Sequence, residues 1–226
     1  MAMMYPDEIN VLIACEESQV EMMAFRSKGF NAFSCDLQKP RRGANLHYQI
    51  QGDVRPYLHG ETIFQTLDGH IWRVPGWDLI IAHPPCTYLC KVGSVWMCPG
   101  GQLDQERYQK MLEAREFFLE CLNAEARFVA VENPLPMARA NLPKPSAFVQ
   151  PYWYGHPYSK KTLYWLRGLP PLMPEVNNPD YKEYVHSSRG KYRSRTFEGV
   201  ARAMADQWGP IVLNGIEDDL KRAISL

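Results

Sequence analysis

Three stretches of this chain are apolar without alternation: NVLIAC at 10–15, DLIIA at 78–82 and FVAV at 128–131. A strand with one wet face alternates polar and apolar residues, so unbroken runs of this kind demand a sheet covered on both sides. Two of the runs end alike. The second passes into His83-Pro84-Pro85-Cys86 and the third into Glu132-Asn133-Pro134, each a polar residue followed by proline, which cannot donate to a sheet ladder and so closes the strand. Helical segments alternate with the strands, which predicts an α/β fold with a doubly wound, mostly parallel sheet and helices on both faces. In such sheets ligands sit at the carboxyl edge.

The chain opens with a strand at 10–15, a polar turn, a helix at 20–29 closing on Gly29, and a second strand at 30–36 ending in Asp36. An acidic residue there is placed to accept hydrogen bonds from ribose hydroxyls. The first turn reads Ala14-Cys15-Glu16-Glu17-Ser18-Gln19, without the glycines that cradle a pyrophosphate, so a phosphate-free ligand such as S-adenosylmethionine suits it better. Glu16 or Glu17 either meets an ammonium group or forms the acidic first turn of the helix. Asp53 is a second ligand contact or a turn residue.

Residues 47–50 suggest a short strand, and 62–73 show no periodicity. After Cys86 a Gly- and aromatic-rich loop at 88–103 is long enough to cover a site. A helix at 105–123 follows, N-capped by Asp104. From 135 a proline-rich region leads to a strand at 162–166, then loop, then a helix at 194–209 expected to pack on the first strand, with 215–226 as a separate surface helix or frayed end.

Cys86, at a strand end on a rigid turn, is either a nucleophile or a small apolar cap. Glu132 and Asn133 share its edge if their strands are neighbours, and burial there predicts a raised pKa for Glu132, which suits a proton donor; the bland alternative is a loop-bracing pair. Six cysteines, at 15, 35, 86, 90, 98 and 121, lack both a disulfide framework and a paired CxxC for zinc, so no metal is expected. With 25 basic and 25 acidic residues the net charge is zero, so no global field draws the chain to nucleic acid. The cations are nevertheless uneven: eleven Lys or Arg against five Asp or Glu lie between Arg139 and Pro210, and Arg189, Lys191, Arg193 and Arg195 cluster in RGKYRSR, a phosphate contact or a solvated loop. No apolar run approaches a membrane span and the first residues lack a signal-peptide pattern, so a cytoplasmic protein of one domain, 1–226, is expected.

Pro84-Pro85-Cys86, Glu132-Asn133, Tyr154-Gly155-His156-Pro157 and the closing helix resemble, in order and spacing, the motifs of the DNA cytosine C5-methyltransferases: a Pro-Cys loop, Glu-Asn-Val, Tyr-Gly-x-Pro-Gln-x-Arg and a final Asn-containing helix. The similarity covers residues 10 to about 209. It implies a Rossmann-like S-adenosylmethionine-dependent methyltransferase fold, Cys86 as nucleophile on carbon 6 of cytosine, Glu132 as the acid that protonates ring nitrogen 3, and Asp36 on the cofactor ribose. Cys15, Glu16, Glu17, Asp53 and Pro84 would complete the cofactor site; Pro85, Asn133 and the basic cluster would face substrate. Where the family carries arginine, this chain has Lys160 and Lys161, point charges rather than a bidentate fork. The glycine-rich cofactor turn is replaced. Residues 135–195 form a loop-rich, substrate-facing region too short for the family's target-recognition domain. The reaction is therefore expected on DNA of low sequence specificity, with a free cytidine nucleotide, a catalytically silent binding module and an exocyclic-amine methyltransferase as alternatives.

Overall fold

The computed structural model describes residues 4–176, 183–184 and 195–224. In chain order the elements are β1 (Asn10–Ala14), α1 (Val20–Ser27), β2 (Asn31–Asp36), β3 (Gln49–Gln51), the single turn α2 (Arg55–Leu58), β4 (Ile63–Gln65), β5 (Ile71–Arg73), β6 (Trp77–Ala82), α3 (Gln105–Leu122), β7 (Ala126–Asn133), β8 (Ala147–Val149), β9 (Tyr158–Ser159), β10 (Thr162–Arg167), β11 (Glu183–Tyr184) and α4 (Glu198–Ile224).

Seven strands make the central sheet in the order β3-β2-β1-β6-β7-β10-β8. The first five pair parallel, and β10 runs antiparallel to both β7 and β8. This is the mostly parallel, doubly wound α/β sheet that the apolar runs predict, with one antiparallel strand inserted near its far edge. The strand order reverses between β1 and β6, the point at which such sheets open a crevice at their carboxyl edge.

The two faces divide the apolar runs residue by residue. Leu12, Ala14, Ile80, Ala82, Val129 and Val131 pack with Met111, Phe118 and Cys121 of α3. Val11, Ile13, Leu79, Ile81, Phe128 and Ala130 pack with Met22 and Phe25 of α1 and Val200, Met204 and Trp208 of α4. Both sides of each central strand are buried, which is why these strands do not alternate.

Residues 62–73, where no pattern was apparent, contain the antiparallel hairpin β4–β5. Its turn is built on Asp68 and Gly69: Asp68 Oδ1 accepts from Thr66 Oγ1 and His70 N, and Gly69 adopts φ 89. Phe64 and Trp72 set the hairpin against Phe33, with ring centroids 4.9 and 5.0 Å away. The closing helix also differs from expectation. It is one helix of 27 residues that carries Pro210 inside it, and the tail does not form a separate element. It packs along α1 and reaches β6. The YGHP stretch holds its start: Gly199 N donates to His156 Nε2 at 2.9 Å, and a Cβ on Gly199 would stand 2.1 Å from the Tyr154 carbonyl.

Candidate active site

A cleft of about 620 Å³ opens along the carboxyl ends of β2, β1, β6 and β7. Parallel pairing puts Ala14 beside Cys35 and Ala82 beside both Ala14 and Val131, so the residues one position further along meet at one level. Cys15, Asp36, His83 and Glu132 are those residues, and all four line the cleft with Glu16, Glu17, Asp53, Pro84, Pro85 and Cys86.

At the β1–β2 end, Cys15 takes a left-handed backbone, φ 60, as the chain leaves the sheet. Burial, with the Asp36 carboxylate, pushes its thiol up to about 12. Glu16 turns inward as the cap of α1: its carboxylate accepts from the backbone N–H of Glu21 and Met22 and from the Ser34 hydroxyl, at 2.8, 3.3 and 2.8 Å. Glu16 lies ahead of the first turn of α1, and burial next to Glu21 raises it to about 7. Glu17 receives the Arg41 guanidinium on both oxygens. Asp36 accepts from Gln38 N at 2.7 Å, and burial raises its carboxyl above the ordinary value. Asp53 is held by the Arg55 backbone and guanidinium, which keep it low. The Glu16 N–H, which a phosphate would need, is spent on the Cys35 carbonyl. The carboxylates of Glu16, Glu17, Asp36 and Asp53 line this end of the cleft, two of them paired with arginine.

At the β6–β7 end, the two Pro residues carry Cys86 onto a turn in which Leu89 N and Cys90 N both donate to the Cys86 carbonyl, at 3.0 and 2.9 Å. The turn sets the two thiols against one another. Interaction with Cys90, burial and the Glu132 carboxylate push the Cys86 thiol far up, whereas interaction with the Cys86 thiol and the nearby backbone N–H groups of Gly93 and Val92 bring Cys90 down to about 6. The loop at 88–103 does not lie free over the site. Lys91 N donates to Leu135 O at 2.7 Å and Met137 N to Leu89 O at 2.8 Å, which ties it to the segment that follows Glu132.

Glu132 does not have the raised pKa that burial alone predicts. Burial does push it up, but the hydrogen bond from His83, the charge of Lys160 and the charge of His83 outweigh that and hold it below the ordinary carboxylate value. His83 sits between Glu132 Oε2, 3.3 Å from Nδ1, and Glu21 Oε2, 2.9 Å from Nε2. Burial opposes its charge, yet the two carboxylates keep it well above the usual imidazole range. Glu21 is completely buried, and its other oxygen accepts from Thr196 Oγ1 at 2.5 Å.

The lysine pair separates. Lys160 faces Glu132 and donates to the Arg195 carbonyl at 3.4 Å, whereas Lys161 turns outward over the Phe148 ring, 4.4 Å from its centroid, away from the cleft. Adjacent residues in an extended segment point to opposite sides, so only one could face the site. Asn133 is fully buried and donates to the Pro134 carbonyl, bracing the turn rather than reaching the cleft. Arg195 is half-buried; Arg189, Lys191 and Arg193 lie outside the described residues. Sequence reasoning passed over His83, Glu21, Cys90 and Thr196. The signal for His83 was there: it follows the apolar run of β6 as Glu132 follows the apolar run of β7, one residue beyond the paired Ala82 and Val131. Among the described residues no group of three or more His, Cys, Asp or Glu is arranged to hold a metal ion. No described helix is long and apolar enough to cross a membrane.

No protein-family model matches the chain, and no curated protein matches it. Among solved structures it is similar to an E. coli prophage-encoded protein provisionally described as a DNA modification methyltransferase, at 16% identity and a TM-score of 0.36. The match covers 70% of this chain and 46% of the other, so the chain spans about half the length of that protein. What the cleft can do is argued from its own side chains.

Proposed function

We propose that the protein is an S-adenosylmethionine-dependent methyltransferase acting on carbon 5 of cytosine in DNA. The observation that carries this reading is the convergence of Cys86 and Glu132 on one wall of a cleft whose other wall holds Asp36 and Cys15. A thiol and an acid meet a substrate base at one end; an acidic, phosphate-free subsite faces them. The order of motifs in the sequence supports the same chemistry.

Carbon 5 of cytosine is too weak a nucleophile to be methylated directly, so a thiolate must first add to carbon 6. Cys86 makes that bond, and Cys90 is positioned to take the thiol proton as it forms. A proton delivered from the Glu132 carboxyl to ring nitrogen 3 stabilises the resulting enamine. Lys160 offsets the negative charge on this side of the cleft. S-adenosylmethionine, when bound, would supply the electrophilic methyl group, with Asp36 the residue placed for its ribose hydroxyls. Transfer of the carbon 5 proton to solvent water then lets the Cys86–carbon 6 bond break, and the departing thiolate recovers its proton from Cys90.

Covalent trapping tests this directly. A duplex oligonucleotide carrying 5-fluorocytosine, incubated with protein and S-adenosylmethionine, should give a mass shift that Cys86→Ser abolishes. An adduct with fluorinated mononucleotide alone would move the substrate to the nucleotide pool. Absence of any adduct in a protein that binds S-adenosylmethionine would remove Cys86 as nucleophile.

A further inference from the structure

Both ring nitrogens of His83 face carboxylate oxygens, those of Glu21 and Glu132. An ionised carboxylate only accepts, and a neutral imidazole donates from a single nitrogen, so these two contacts need two protons among the three groups. Glu21 has its remaining oxygen occupied by the Thr196 hydroxyl and no access to water. The neighbours on every side bear on where the protons reside. Glu16 stands beside Glu21, Asp36 lies at the end of β2, Tyr164 approaches from β10, the Cys86 thiol follows on the same turn, and Lys160 faces Glu132. The excess of acidic groups favours a cation at the centre.

We propose that His83 is the proton reservoir of the cleft, an imidazolium that passes its Nδ1 proton to the Glu132 carboxylate for delivery to the substrate. This rests on the methyl-transfer reading above. As the proton moves, the His83 N–H bond breaks and a Glu132 O–H bond forms. That bond breaks in turn as an N–H bond forms on ring nitrogen 3. His83 is left neutral, its Nε2–H still donated to Glu21, and the same path refills it when the base gives its proton up. Glu132 is thus a conduit, and His83 is a positioning and relay residue that acts through it. Glu21 orients the ring and compensates its charge.

Histidine nitrogen NMR of the free wild-type protein reads the ring directly. The expected result is a His83 ring protonated on both nitrogens through neutrality and beyond the ordinary imidazole value of 6.5. In Glu21→Gln that titration should move down towards 6.5. His83→Gln should slow adduct formation on 5-fluorocytosine DNA by about a hundredfold at neutral pH, the scale of one lost acid catalyst. The rate should recover as the pH falls into the carboxylate range and solvent protonates Glu132, with S-adenosylmethionine affinity unchanged. A variant with the wild-type rate and pH profile would overturn the relay. A neutral ring in a protein that still forms the adduct overturns the reservoir and leaves the reaction standing. A doubly protonated ring in a protein that forms no adduct overturns the reaction instead.

Discussion

Thr196 donates its hydroxyl to the Oε1 of Glu21 at 2.5 Å, across 175 residues of chain. The bond joins the approach to α4 to the second residue of α1, and it satisfies an oxygen that water does not reach. Thr196→Val keeps the shape and removes the donor. An unsatisfied buried acceptor costs about 1–3 kcal/mol, so thermal unfolding should show a lower midpoint for Thr196→Val and a near-wild-type one for Thr196→Ser.

The two sulfurs on the Cys86 turn should titrate in opposite directions. Cys90 is a thiolate from about pH 6 because interaction with the Cys86 thiol and two nearby backbone N–H groups favours the anion. Removing the Cys86 thiol weakens the stabilisation of the anion, so the Cys90 pKa must rise. Thiolate ultraviolet absorbance of Cys86→Ala should therefore show the Cys90 transition displaced towards its ordinary value of 9.0.

Lys160 and Lys161 should not be equivalent. Only Lys160 bears on Glu132, so Lys160→Met should let the Glu132 pKa rise, which keeps the carboxyl protonated to higher pH and carries adduct formation to higher pH. Lys161→Met removes a cation from above Phe148 and should leave the rate within about twofold, with a small loss of stability. Single-turnover trapping rates distinguish the two.

Gly199→Ala should be strongly destabilising although alanine favours helices. The added Cβ would lie 2.1 Å from a backbone oxygen and 2.9 Å from the His156 ring nitrogen that caps α4. Overpacking at a site that cannot yield costs about 1–3 kcal/mol. Urea unfolding should show that loss, and Gly215→Ala, where the obstacle is the Phe128 ring rather than backbone, should lose less.

How much was legible in the sequence follows from what each feature depends on. The strands β1, β6 and β7 announce themselves because burial on both faces leaves unbroken apolar runs at 11–14, 79–82 and 128–131. The hairpin β4–β5 does not: each strand has three residues, too few for a period, and only Asp68-Gly69 marked it. The closing helix was expected to end at 209, but α4 continues through Pro210 because its buried face on α1 outweighs one missing backbone bond. Cys86, Glu132 and Asp36 could be picked out as polar residues at the ends of apolar runs. His83 satisfies the same rule, yet its significance depends on Glu21, 62 residues earlier and buried inside a helix. The Glu132 pKa was misjudged for the same reason. Local sequence reports burial, whereas its partners come from two other segments.

The hydrogen bonds that tie residues 89–91 to residues 135–137 have a mechanical meaning. The chain leaving the thiol and the chain leaving the acid are stitched into a single leaf, so neither can swing without the other. A substrate does not draw one group towards a stationary partner; it meets a pair whose spacing is already set. On the methyl-transfer reading proposed above, selectivity among bases falls on what can enter between the two.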